Sequence, residues 1–171
     1  MVRVGLLAVG LASASASGCS LLLDFGPGAI PSDAVDAPYS QAECDYKEPN
    51  NAPAEAAAFE PTDVGPAAIC AGAPEDHDFY RFTVPAGTAS VSVGVSFMNR
   101  PGGDLDLRIM DATGATTYGQ SRTFGDTELV TCGSGSPGCP ALAPGDYVFE
   151  VFPATPDTVN RYDITLSITP S

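Results

Sequence analysis

Along the second half of the chain, apolar residues recur at every other position. Phe79 to Val84 (FYRFTV) places Tyr80, Phe82 and Val84 on one face. Ala89 to Phe97 (ASVSVGVSF) is the cleanest case, with Val91, Val93, Val95 and Phe97 inward and Ser or Gly outward. Leu105, Leu107 and Ile109 repeat the period between Asp104, Asp106 and Arg108. YVFEVF (147–152) and YDITLSI (162–168) alternate in the same way, and 115–120 and 127–131 are weaker strand candidates. A period of two puts successive side chains on opposite faces of a strand. Turn signals stand between these runs: Pro85-Ala86-Gly87, Asp111-Ala112-Thr113-Gly114 and Ala143-Pro144-Gly145. Many short strands at regular spacing predict an all-β sandwich or barrel. The only helix the pattern suggests is short, around Pro53 to Phe59 (PAEAAAF).

The first forty residues carry no such period. Arg3 followed by the apolar run Val4 to Leu11 and then small residues reads as an export signal. That run is too short for a transmembrane helix, which needs about 20 residues. Ala16-Ser17-Gly18-Cys19 resembles the bacterial lipobox, in which the cysteine is lipidated and becomes the first mature residue. The expected organisation is a lipoprotein signal peptide over 1–18, a flexible tether over 19–43 and a folded domain over 44–171. The tether mixes Gly, Pro, Ser, Ala and Asp; 24 flexible residues span about 27 Å root-mean-square. The expected location is the bacterial cell envelope. In an organism with two membranes, Ser20 after the cysteine favours the outer one.

Charge narrows the choice of partners. The chain holds 21 acids and seven basic residues, one of them Arg3 in the signal. A mature chain with net charge −15 repels nucleic acid and anionic lipid, so membrane contact is expected only through the lipid anchor. Most of these acids serve solubility.

Apart from Cys19 there are four cysteines, Cys44, Cys70, Cys132 and Cys139. An even count in an exported chain argues for two disulfides, with three connectivities open. Cys132 and Cys139 bracket GSGSPG, a loop flexible enough to close on itself, and that pairing leaves Cys44 with Cys70. Zinc is the alternative, but no C-x-x-C pair is present.

The order of motifs points further. EPNN (48–51) with an alanine-rich segment, then DHDFYRFTVPAG, DLDLRIMDATG, LAPGDYVFEV and a terminal YDITLSI resemble the bacterial pre-peptidase C-terminal domain. That family is similar to the collagen-binding domains of clostridial collagenases, and the resemblance covers about residues 43 to 169. It implies a jelly-roll-like β-sandwich of about eight short antiparallel strands, and a module that accompanies a secreted protease without being catalytic. Some members bind calcium through the Glu-Pro-Asn stretch and the acids opening the Asp-x-Asp-aromatic strand. Carried over by position, the ligands are Glu48, Asn50, Asn51, Asp76 and Asp78, with Glu75 as an extra. Tyr46 stands where calcium-binding relatives often carry another acid. Calcium takes six to eight hard oxygens, which carboxylates and amide carbonyls supply. The alternative for these residues is a strand cap and a rigid turn. Asp104 and Asp106 form a second Asp-x-Asp pair, expected as solvated outer-face residues.

Catalytic signatures are missing from the sequence: there is no G-x-S-x-G or H-E-x-x-H, and the single histidine, His77, is expected as a surface residue between candidate ligands. The favoured function is a non-catalytic binding or structural module displayed on the envelope, its partner an extracellular protein or polysaccharide. The alternative is a small secreted hydrolase using acidic residues, since 21 acids allow many carboxylate pairs.

Overall fold

The structure, a computed structural model, describes residues 40–171 apart from 45, 64, 73 and 74. The expected signal peptide, Cys19 and nearly all of the expected tether lie outside the described residues. Ser40 begins the described part by capping a single helical turn, α1 (Gln41–Cys44). Nine strands follow: β1 (Ala57–Ala58), β2 (Pro66–Ile69), β3 (Asp78–Val84), β4 (Thr88–Phe97), β5 (Leu105–Asp111), β6 (Thr117–Ser121), β7 (Thr127–Gly133), β8 (Gly145–Pro153) and β9 (Asn160–Pro170). They form a five-stranded sheet in the order β1-β3-β8-β5-β6 and a four-stranded sheet in the order β2-β9-β4-β7. This is the two-sheet, all-β architecture expected from the alternation, and every long pairing is antiparallel.

The inward sets meet between the sheets. Tyr80, Phe82 and Val84 of β3 and Tyr147, Phe149 and Val151 of β8 face Val91, Val93 and Val95 of β4 and Tyr162, Ile164 and Leu166 of β9. Each of these side chains is buried, and full burial of a Val, Leu, Ile or Phe contributes about 1.5–3 kcal/mol. β8 is central in its sheet and buried on both faces, because Phe79, Met110 and Val148 make a small second cluster outside it.

The expected helix over 53–59 is not formed. Pro53–Glu55 make one 3-10 turn, and the chain then pairs as β1 alongside β3, the one parallel strand pair among the described residues. The alanines favour helix locally, but Phe59 gains burial against Tyr80 and Phe149 only if the segment is extended. Gly114 in the β5–β6 turn has φ +75°, and a β-carbon there would lie 2.4 Å from Pro53 Cγ, so only glycine lets that turn close on the 3-10 segment. β2, with four residues and two adjacent alanines, has no alternation to read. No helix among the described residues is long and apolar enough to cross a membrane.

Both disulfides are formed as expected, Cys44 with Cys70 and Cys132 with Cys139. Cys132 and Cys139 are buried between β7 and the loop that follows it.

Candidate metal centre

The EPNN turn would be a surface excursion were it not fastened at both ends. The Cys44–Cys70 bond ties the chain four residues ahead of it to the residue that follows β2. Lys47 donates through Nζ to Ala58 O (2.6 Å) and Asp63 Oδ2 (2.7 Å), over the Phe59 ring. Tyr46 is half-buried against the main core and lies on Gly65, so this ring serves packing. The turn then lies along the start of β3. Phe79 N donates to Asn50 O (2.9 Å), and His77 N donates to Asn51 Oδ1 (3.1 Å).

This stitching brings Glu48, Asp76 and Asp78 together, each offering a carboxylate oxygen within 4.8 Å of the others. Asn50, fully buried, completes the group. The end of its amide lies 3.0 and 3.1 Å from the two Glu48 oxygens and 3.1 Å from Asp78 Oδ1. With nitrogen at that end, the amide donates to both acids; with oxygen there, it adds a fourth hard donor to the three carboxylates. Asn51 does not join them, since its oxygen accepts from His77 N and its amide nitrogen donates to Glu48 Oε2 (3.3 Å). Glu75 turns away toward His77 Nε2, 3.7 Å from its carboxylate.

The electrostatics are those of carboxylates short of positive charge. Asp78 is 2% exposed, and burial lifts its pKa well above the usual carboxylate range. The neighbouring Asp76 and Glu48 charges lift it further, against hydrogen bonds from Tyr162 and Asn50. Asp76 is raised by burial, although Cys70 N donates to its Oδ2 at 2.7 Å. Three carboxylates so close, one of them inside the protein, require a shared proton or a cation.

Two residues of this centre escaped the sequence reading. Tyr162, on β9 in the opposite sheet, donates its hydroxyl to Asp78 Oδ2, and Tyr80 and Tyr162 hydroxyls lie 2.9 Å apart. Both rings are fully buried, and burial with the Asp78 charge raises both phenols, keeping them protonated donors. Alternation places both tyrosines in the core. A buried tyrosine hydroxyl needs a partner, which was the only available signal that they feed a buried acid.

Beside this centre, His77 is not a simple surface residue. Its ring stacks near those of Phe79 and Phe152, and its Nδ1 lies 2.6 Å from Glu150 Oε1. Glu150 is completely buried, and Arg108 Nε donates to its other oxygen. The hydrogen bond to Glu150 raises the His77 pKa, opposed by burial. The second Asp-x-Asp pair also departs from expectation. Asp106 is 6% exposed, because Arg108 and Arg122 fold over Phe152 at 5.0 and 4.9 Å and roof that part of the sheet's outer face. Alternation gives the face a side chain occupies, not what covers it. Burial raises the Asp106 pKa, opposed by Arg122, whose Nε is 3.6 Å from Oδ2.

No family model and no curated protein matches this chain. Among solved structures, its fold is similar to the pre-peptidase C-terminal domain of collagenase from Bacillus anthracis, determined at 1.0 Å. The TM-score is 0.49 at 13% identity, over 64% of this chain and 92% of that one.

Proposed function

We propose that this protein is a non-catalytic binding or structural module of the bacterial cell envelope, lipid-anchored through Cys19 and stabilised by calcium. The convergence of Glu48, Asp76 and Asp78 carries the reading. The donor set suits a hard cation: three carboxylates, with no sulfur or imidazole among them. Calcium bound there supplies the positive charge that lets all three carboxylates ionise. The chain's own residues do the rest. The Cys44–Cys70 bond and the Phe79–Asn50 hydrogen bond hold the turn on β3, and Tyr162 holds Asp78 from the opposite sheet. An ion at this point would lock the N-terminal edge of the sandwich.

The non-catalytic part of the reading is supported by His77, whose Nδ1 is engaged by Glu150 and whose ring is stacked near those of Phe79 and Phe152. The partner class proposed is an extracellular protein or polysaccharide. The test is calorimetric melting of the full chain in chelator and in excess calcium. A rise in Tm with calcium that Asp78→Ala abolishes supports the reading; equal Tm values in both buffers end it. Membrane fractionation of Cys19→Ala tests the anchor, which predicts release or an unprocessed precursor.

A further inference from the structure

We propose that the loop end of the sandwich carries a cleft for a neutral polysaccharide, with Phe124 as the platform for a sugar ring and Arg100 and Asp104 as its hydrogen-bonding pair. The proposal rests on the reading of the chain as a binding module and narrows its partner class. Three connections gather there: 98–104 between β4 and β5, 122–126 between β6 and β7, and 154–159 between β8 and β9. Between them lies a cavity of about 510 Å³ whose lining includes Asn99, Arg100, Asp104, Arg122, Phe124 and Thr155. That volume falls within the range of about 300–1,000 Å³ usual for ligand pockets.

The loops that form the cleft are held in place by the chain itself. Asn160 Nδ2 donates to Met98 O (2.8 Å) and Gly103 O (2.7 Å), and Val159 N donates to Gly102 O (3.2 Å). Asn99 N donates to Asp126 Oδ1 (2.9 Å), Ala154 N donates to Asp104 O (3.0 Å), and the Thr155 and Thr158 hydroxyls lie 2.9 Å apart. A preformed site loses little ordering entropy when it is filled. Key side chains of the lining are, by contrast, left open. Phe124 is 97% exposed. The Arg100 guanidinium and the Asp104 carboxylate make no hydrogen bond or ion pair among the described residues. Arg122 is already engaged, with Nε 3.6 Å from Asp106 Oδ2 and its guanidinium over Phe152.

The charge of the lining selects the ligand. Arg100 and Arg122 balance Asp104 and Asp106, in a chain whose net charge is −14. A polyanion meets no net positive charge here and an acidic protein around it, and a polycation meets the two arginines. A neutral polyhydroxyl ligand suits both signs, because a sugar hydroxyl donates to a carboxylate and accepts from a guanidinium. The apolar C–H face of the ring then has Phe124 to lie on. A protein partner fits less well. Among the described residues, Met98, Phe124 and Leu129 are the large apolar side chains left exposed, a sparse supply for an interface of about 800 Å² a side with an apolar core. Arg100 also lines a second cavity of about 430 Å³ with Met98, Arg161 and Asp163, which gives a linear chain room to continue.

The test is titration calorimetry of cello-, malto-, laminari- and mannohexaose, all neutral, into the full chain with calcium present. Saturable binding of at least one is expected. Phe124→Ala, Arg100→Ala and Asp104→Ala should each weaken it about tenfold, as loss of an aromatic anchor or of a charged hydrogen-bonding group implies. Phe124 and Arg100 are exposed, so their variants keep the fold. Leu129→Ala, at a residue that does not line the cavity, should leave binding unchanged. No binding of any of the four overturns the proposal and leaves the loop end to a protein partner. Binding that Phe124→Ala and Arg100→Ala do not weaken overturns it too, as does tighter binding of the anionic hexagalacturonate. Melting the same samples in calcium and in chelator keeps the two proposals apart. A calcium response without sugar binding sinks only the cleft, and sugar binding without a calcium response sinks only the metal centre.

Discussion

Two buried carboxylates, one strand apart, have opposite surroundings. Glu150 on β8 has no exposed surface and is held by Arg108 on one oxygen and His77 on the other. Asp78 on β3 is 2% exposed and is held by a phenol and an amide, with two further carboxylates beside it. Burying a charge is tolerable when charge and hydrogen bonds answer it. Glu150 is answered from within the chain and is therefore structure. Asp78 is answered only in part, and the proposed ion would make up that deficit.

The largest expected effect separates the two by connectivity. Replacing Cys44 and Cys70 by serine frees a loop closed over 26 residues, a loss of roughly 3.5 kcal/mol by chain entropy. It should also weaken calcium binding, because the EPNN turn is no longer drawn toward β3. The Glu150–Arg108 pair is built within one sheet and should persist, seen as an unchanged Arg108 side-chain resonance. Next, Arg108→Ala should lower stability by about 3 kcal/mol, since it leaves the buried Glu150 with His77 alone. Chemical denaturation should give the same loss with calcium and in chelator. A loss that calcium repairs would erase the distinction drawn between the two acids.

Asp78→Ala should do the reverse, leaving stability in chelator nearly unchanged while removing the calcium gain. At a hundredfold excess over Kd that gain is about 2.7 kcal/mol, or roughly 5–10 °C in Tm. The pH dependence follows from the raised pKa values of Asp76 and Asp78. The folded state holds these protons more tightly than the unfolded chain does. Their contribution to stability is complete below the unfolded carboxylate pKa, and it is lost as pH rises through the raised folded values. In chelator, Tm should therefore fall as pH rises above about 4 on their account, and calcium should flatten the fall. Melting curves in both buffers read this directly. The smallest effect is Tyr162→Phe, which removes one donor to Asp78 and the Tyr80 partner. It should cost about 1–2 kcal/mol in chelator and less with calcium bound.

Much of the sandwich was legible because its signal is local. Val91, Val93, Val95 and Phe97 alternate with Ser and Gly, and β4 buries that set. β1 and β2 were not legible. Two or four residues carry no period, and their pairing gains come from Phe59 and Ile69 reaching the core. The acids of the candidate metal centre could be named from motif order, and the cysteine count already suggested what draws the turn toward Asp76 and Asp78. Their environment could not be named. Asn51 and Glu75 look equivalent to Asn50 and Asp76 as letters, yet one is taken by His77 N and the other faces the His77 ring.

What the sequence by itself determined is whatever depends on neighbours within a few residues: the strand period, the turns, the even cysteine count and the acidic balance. The tertiary structure alone decided which acids lie under cover. Tyr162 stands 84 positions from Asp78 and reaches it from the other sheet, and Arg122 roofs Asp106 by folding over Phe152. Glu128 is turned inward with one oxygen unanswered. Burial and the placing of charge are sums over every segment packed around a group, and no stretch of sequence contains that sum.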